Sequence, residues 1–107
     1  MVQETVKMKC VWHWKWIDDA YEKDGKYSKV TAKFQKAIEE HPEDFPKMGP
    51  TLMTGRGVGF RLVEGTEQQL ANLAQIWAPV EEWRFEVYFE ASGPDSPFGK
   101  AWAKYNL

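Results

Sequence analysis

The stretch Cys10–Trp16, C-V-W-H-W-K-W, decides how this chain is read. Tryptophan stands at every second position, with His13 and Lys15 in between. A period of two is that of a β-strand, whose successive side chains point to opposite faces. The pattern extends over Val6–Trp16. Met8, Cys10, Trp12, Trp14 and Trp16 share one face; Lys7, Lys9, Val11, His13 and Lys15 share the other. The indole-bearing face needs a covering layer, and the rest of the chain is read for what supplies it.

Asp18–Glu40 reads as a helix, capped by Asp18 or Asp19, or starting only near Lys26 because Gly25 weakens its first turns. Tyr27, Val30, Phe34, Ala37, Ile38 and His41 fall on one helical stripe, and Pro42 ends it. Glu43–Pro50, E-D-F-P-K-M-G-P, is a loop of structure breakers. Thr51–Gly55 and Val58–Glu64 read as strands joined by a tight hairpin at Gly55–Gly57. Thr66–Trp77 is a second helix, opened by the capping box Thr66–Gln69 and buried along Leu70, Leu73, Ala74 and Trp77. Pro79 stops it. Trp83–Ala91 is the last strand, with Trp83, Phe85, Val87, Phe89 and Ala91 alternating with Arg84, Glu86, Tyr88 and Glu90. After the linker Ser92–Pro97, Phe98, Trp102 and Tyr105 recur at helical spacing, which predicts a short docking tail.

The order β-α-β-β-α-β predicts an α+β, ferredoxin-like fold over a single domain, residues 1–107, with core 6–91 and tail 92–107. The expected sheet is antiparallel and four-stranded, in the order 4-1-3-2, with two helices on one face and right-handed crossovers. Trp12 and Trp14 would meet the helices together with Val58, Phe60, Leu62, Phe85, Val87 and Phe89. The open face would carry Val11, His13, Lys15, Gly59, Arg61, Val63, Arg84, Glu86, Tyr88 and Glu90. That face is mixed rather than polar, which predicts a homodimer through the open sheet face around a cavity.

M-K-C-V-W-H-W (Met8–Trp14), F-R-L-V-E (Phe60–Glu64), L-A-Q-I-W-A (Leu73–Ala78) and F-E-V (Phe85–Val87) resemble a small prokaryotic family of unknown function in the dimeric α+β barrel superfamily. The resemblance runs from about Met8 to Glu90, and its motifs have low specificity. It implies the fold and the dimer. It implies no activity, because the superfamily's monooxygenases, isomerases and haem-handling enzymes lend no motif to a named position here. Residues before Met8 and after Ala91 fall outside the pattern.

Composition narrows the function classes. A net charge of −2 leaves no basic footprint for phosphates, so nucleic acid is not an expected partner. Cys10 is the single cysteine, which excludes an internal disulfide and fits a cytoplasmic, reducing location. No apolar run approaches the about 20 residues that span a membrane, and the polar start M-V-Q-E-T-V-K lacks a signal core. Aromatic residues reach 15%, with six Trp, more than one thin core hides, so some are expected at an interface.

His13 is the leading candidate for chemistry. With Arg61 on one neighbouring strand and Glu86 and Tyr88 on the other, it forms a candidate catalytic set. Imidazole beside a carboxylate suits general-base work. Arg61 would hold a carboxylate or enolate oxygen, and Tyr88 would donate a hydrogen bond. The plainer reading is a polar network inside a dimer interface. His13, Lys15, Trp16, Arg61, Arg84 and Tyr88 make the candidate ligand-binding set, with Trp16 at a cavity mouth beside Trp77 or Trp83. Core packing is the plainer account of the tryptophans.

Other signals dissolve on inspection. G-R-G-V-G, Gly55–Gly59, lacks the dinucleotide spacing and precedes a strand, so Gly57 serves a turn. Cys10 and His13 point to opposite faces and no third ligand joins them, so no metal is expected. No cofactor is expected either. Lys26, Lys29, Lys33 and Lys36 read as a solvated helix face. Two functions remain: a small-molecule binding or structural dimeric module with a cavity at the open face, or a cofactor-independent monooxygenase or isomerase of the dimeric α+β barrel type acting on a small substrate, aromatic or not.

Overall fold

The computed structural model describes residues 6–17 and 25–106. Along the chain run β1 (Met8–Trp16), α1 (Lys26–Glu40), β2 (Lys47–Met48), β3 (Leu52–Gly55), β4 (Val58–Gly65), α2 (Glu67–Trp77), β5 (Glu81–Val87) and α3 (Pro97–Tyr105), with a 3-10 turn at Pro42–Asp44 after α1. The architecture is α+β, with one antiparallel five-stranded sheet and three α-helices. The expected Asp18 or Asp19 cap lies outside the described residues. Among them α1 starts at Lys26, behind Gly25 in the left-handed conformation at φ 64°. No helix of the described residues is long and apolar enough to cross a membrane.

β1 lies inside the sheet, between β4 and β5. The outer edge of β4 carries both β2 and β3. The strand order therefore differs from the four-stranded expectation, with two short strands where one was expected. The physical cause is Gly49-Pro50. Gly49 N–H still donates to the Leu62 carbonyl at 2.8 Å, but Pro50 has no N–H to give. The pairing resumes at Leu52↔Phe60 with its register moved by one residue from Met48↔Val63.

The indole-bearing face of β1 is the core. Cys10, Trp12 and Trp14 are buried with Val30 and Phe34 of α1, Leu70, Leu73 and Trp77 of α2, and Phe45, Val63 and Val80. Aromatic edges hold the layers together: Trp77 lies 6.4 Å from Trp12, 5.7 Å from Tyr27 and 5.3 Å from Phe34 between ring centroids. Such pairs add about 0.5–1.5 kcal/mol each beyond area burial. Thr66 closes the predicted capping box, its hydroxyl accepting from Gln69 N–H while the Gln69 side chain accepts from Thr66 N–H. Phe45, which the sequence placed in a breaker loop, is buried edge-on to Phe34 at 5.7 Å.

One strand has the opposite phase from that expected. The register pairs Cys10 with Val63, Trp12 with Arg61, Trp14 with Gly59 and Met8 with Gly65. Directly opposed residues share a face, so Gly59, Arg61, Val63 and Gly65 lie on the helix side. Val58, Phe60 and Leu62 lie on the open side, with Val58 and Leu62 exposed. The last strand ends at Val87. Phe89 lies beyond it, is exposed, and is not part of the core.

Candidate functional site

The open face is built by β1, β4 and β5. His13 pairs across to Phe60 on one side and to Arg84 on the other. Lys15 pairs to Val58 and to Glu82. A strand delivers its side chains to one face every second residue, so His13, Lys15, Val58, Phe60, Glu82 and Arg84 converge. They line an open groove of about 460 Å³ that reaches Thr54 at the sheet edge. Apolar surface from Val58 and Phe60 sits among charges of both signs, the make-up of a small-molecule site.

His13 and Glu86 form the polar pair that the sequence singled out. His13 Nε2 donates to Glu86 Oε1 at 2.8 Å, diagonally across the β1–β5 ladder. The hydrogen bond from His13, reinforced by the Arg84 guanidinium, holds the Glu86 carboxyl below its ordinary value. With Nε2 engaged by Glu86, Nδ1 is the ring nitrogen left to meet a ligand. Tyr88 follows β5, half-buried, its backbone N–H on the Lys9 carbonyl at 3.1 Å.

Arg61 does not join them. It lies on the helix side, half-buried, and its Nε donates to the Gly49 carbonyl at 2.9 Å. Together with Gly49 N–H on Leu62, this clamps the break between β2 and β3. Burial lowers the Arg61 pKa, opposed by the charge of Glu81. The expectation failed because Phe60 and Leu62 were read as core and Arg61 as open. Trp16 also lies on the helix side, stacked on Trp14 at 6.2 Å and edge-on to Tyr27 at 5.2 Å, and does not line the groove.

Sequence reasoning missed Glu82, Phe60, Val58 and Thr54 as groove residues and Glu81 as a buried acid. Glu81 is 5% exposed, and its Oε1 has no hydrogen-bond partner among the described residues. Burial pushes its carboxyl up to about 8, against the pull of Arg61. Its signal was legible: Glu81 is in phase with Trp83 and Phe85. Cys10 is buried, and burial raises its thiol pKa, which makes it an inert core residue. Past α1, His41, Glu43 and Asp44 offer ligand atoms within 4.8 Å of one another, all on exposed residues. His41 Nδ1 and Glu43 Oε1 are 3.8 Å apart, both on exposed side chains.

Comparison with known proteins finds no matching family model, no matching curated protein and no matching solved structure. The functional reading therefore rests on the groove itself.

Proposed function

We propose that this chain is a small-molecule binding module that works as a homodimer in a reducing cytoplasm, with its ligand in the groove beside His13. One observation carries the reading: among the described residues α1 and α2 both pack on one face of the sheet, and the other face holds a groove of about 460 Å³ lined by apolar and charged side chains together. The volume is that of a small-molecule pocket. Lys15 and Arg84 suit an anionic group, and Phe60 and Val58 suit a ring. A ferredoxin-like arrangement and kinship with the dimeric α+β barrels belong to the same proposal. They are supported by the connections, since α1 and α2 each link two strands that flank a third.

The test is a titration with benzoate followed by amide chemical shifts. The expected result is saturable shifts confined to His13, Lys15, Phe60 and Arg84 and their neighbours. Shifts scattered over the surface, or none, overturn the ligand reading.

A second reading, a cofactor-free isomerase or monooxygenase, is favoured by the His13–Glu86 hydrogen bond at 2.8 Å. A carboxylate that fixes one tautomer leaves the other ring nitrogen to take a proton from substrate carbon. Deuterium exchange into an acidic C–H of a groove ligand, lost in His13→Gln, supports it; exchange unchanged in that variant rules it out.

A further inference from the structure

Among the described residues, two apolar surfaces of this chain stand exposed. One is the open sheet face, where Leu52, Val58 and Leu62 are 43%, 38% and 45% exposed. The other is α3, where Phe98, Trp102 and Tyr105 are 56%, 60% and 74% exposed. At 100° per residue these three rings share one side of α3, and Lys100 falls on the opposite side. The rings frame a shallow groove of about 210 Å³ along the helix.

α3 is built, yet buries none of its residues among the described ones. Ser96 caps it, accepting from Gly99 N–H at 3.0 Å and donating to the Gly93 carbonyl at 2.9 Å. Gly93 turns the chain at φ 86°, and a Cβ on Gly99 would collide with the Gly93 carbonyl. This elbow sets the direction of the helix. No residue of α3 is buried. The radius of gyration is 17.0 Å, where a compact chain of this length has about 13 Å. A helix of nine residues is below the about 12–15 that stand alone in water, so α3 needs a packing surface.

We infer that α3 docks on the open sheet face of a second copy of this chain, reciprocally, so that the partner's Trp102 closes the groove beside His13. The inference rests on the homodimer proposed above and names the segment that completes its site. Dimensions and area argue for this occupant. The aromatic ridge is about 10 Å long at 1.5 Å per residue, and β3 to β1 spans about 10 Å at 4.8 Å per strand. Covering both surfaces twice removes on the order of 1,200 Å² from water, which reaches the range of specific interfaces. Lys100 remains in solvent on the back of the helix, and Lys104 flanks the ridge with its Nζ 5.4 Å from the Tyr105 ring centroid.

Sedimentation equilibrium of the full chain tests this. Trp102→Ala, at an exposed site outside the core, raises the dimer dissociation constant at least about 30-fold. Lys100→Ala leaves it within about 3-fold. Separately made Leu62→Cys and Ala101→Cys chains, mixed and oxidised, form a disulfide-linked heterodimer. A dimer insensitive to Trp102→Ala, with no mixed cross-link, overturns the exchange and leaves the homodimer standing. A monomer at all concentrations overturns both. A monomer whose α3 binds anionic phosphatidylserine vesicles, or cross-links only within a Leu62→Cys, Ala101→Cys double variant, also overturns the exchange.

Discussion

The ring of Trp14 occupies the space that a side chain on Gly59 would need. A Cβ there would lie 2.5 Å from Trp14 Cζ2 and would collide with the Leu52 carbonyl. Gly59 is thus the place where β4 makes room for an indole, and one edge of the groove rests on it. Gly59→Ala is expected to destabilise the fold by about 1–3 kcal/mol through overpacking. Gly55→Ala, where a Cβ meets nothing within 4 Å, stays within about 0.5 kcal/mol. Urea denaturation of the two variants checks the contrast; equal losses would place the Trp14 ring elsewhere.

Glu81 gives stability a definite slope with pH. Its carboxyl stands at about 8 in the folded chain, against an ordinary value of 4.5. Between these values the unfolded chain releases a proton that the folded chain keeps. Stability therefore falls as pH rises from 4.5 to about 8. Glu81→Gln keeps the shape, removes the ionisation and is expected to gain about 2–4 kcal/mol at high pH, with a flatter profile. Unfolding free energies measured from pH 5 to pH 9 decide it; an unchanged slope in the variant assigns the titration to another group.

The His13–Glu86 bond predicts that the Glu86 carboxyl responds to substitution of His13. The Glu86 carboxyl lies below its ordinary value, first because of the hydrogen bond from His13 and then because of Arg84. His13→Ala should move it upward, and Arg84→Ala should move it by less. Carbon-detected NMR of the Glu86 carboxyl across acidic pH reads both shifts. No movement in His13→Ala would mean that the pair does not form in solution.

Thr66 and Gln69 make two reciprocal hydrogen bonds at the start of α2, and Gln69 reaches further to the Glu43 carbonyl at 3.0 Å. Thr66→Ala should cost about 1 kcal/mol. Thr66→Ser, which keeps the hydroxyl, should recover most of it. Thermal melts of the pair are sufficient; a loss as large in Thr66→Ser would point to the methyl group instead.

Much of this was legible before any coordinates. The alternation of Trp12, Trp14 and Trp16 named a strand and its buried face, and the stripe Leu70, Leu73, Ala74 and Trp77 named the packed side of α2. His13, Lys15, Arg84 and Glu86 were placed on the open side, where they lie. Arg61 was not. In β4 the residues of both phases are partly apolar, so hydrophobicity alone put Phe60 and Leu62 inside and Arg61 outside. The split of the edge into β2 and β3 was hidden for a similar reason: a two-residue strand at Lys47–Met48 leaves too short a pattern to read.

Local chemistry, then, settled what is local in this protein: the period of β1, the cap at Thr66, the positive φ of 70° at Gly57 and the helical spacing of Phe98, Trp102 and Tyr105. These depend on neighbours within a few residues. The phase of β4 depends on what stands across the ladder. Trp14 is too large to face anything but glycine at that point, so Gly59 turns inward, and Phe60 and Leu62 turn out to the open face. That single packing requirement takes Arg61 away from His13, gives it to the Gly49 carbonyl and puts Phe60 into the groove. Only the tertiary structure could decide it, because size complementarity between residues forty-five positions apart leaves no periodic mark in the chain.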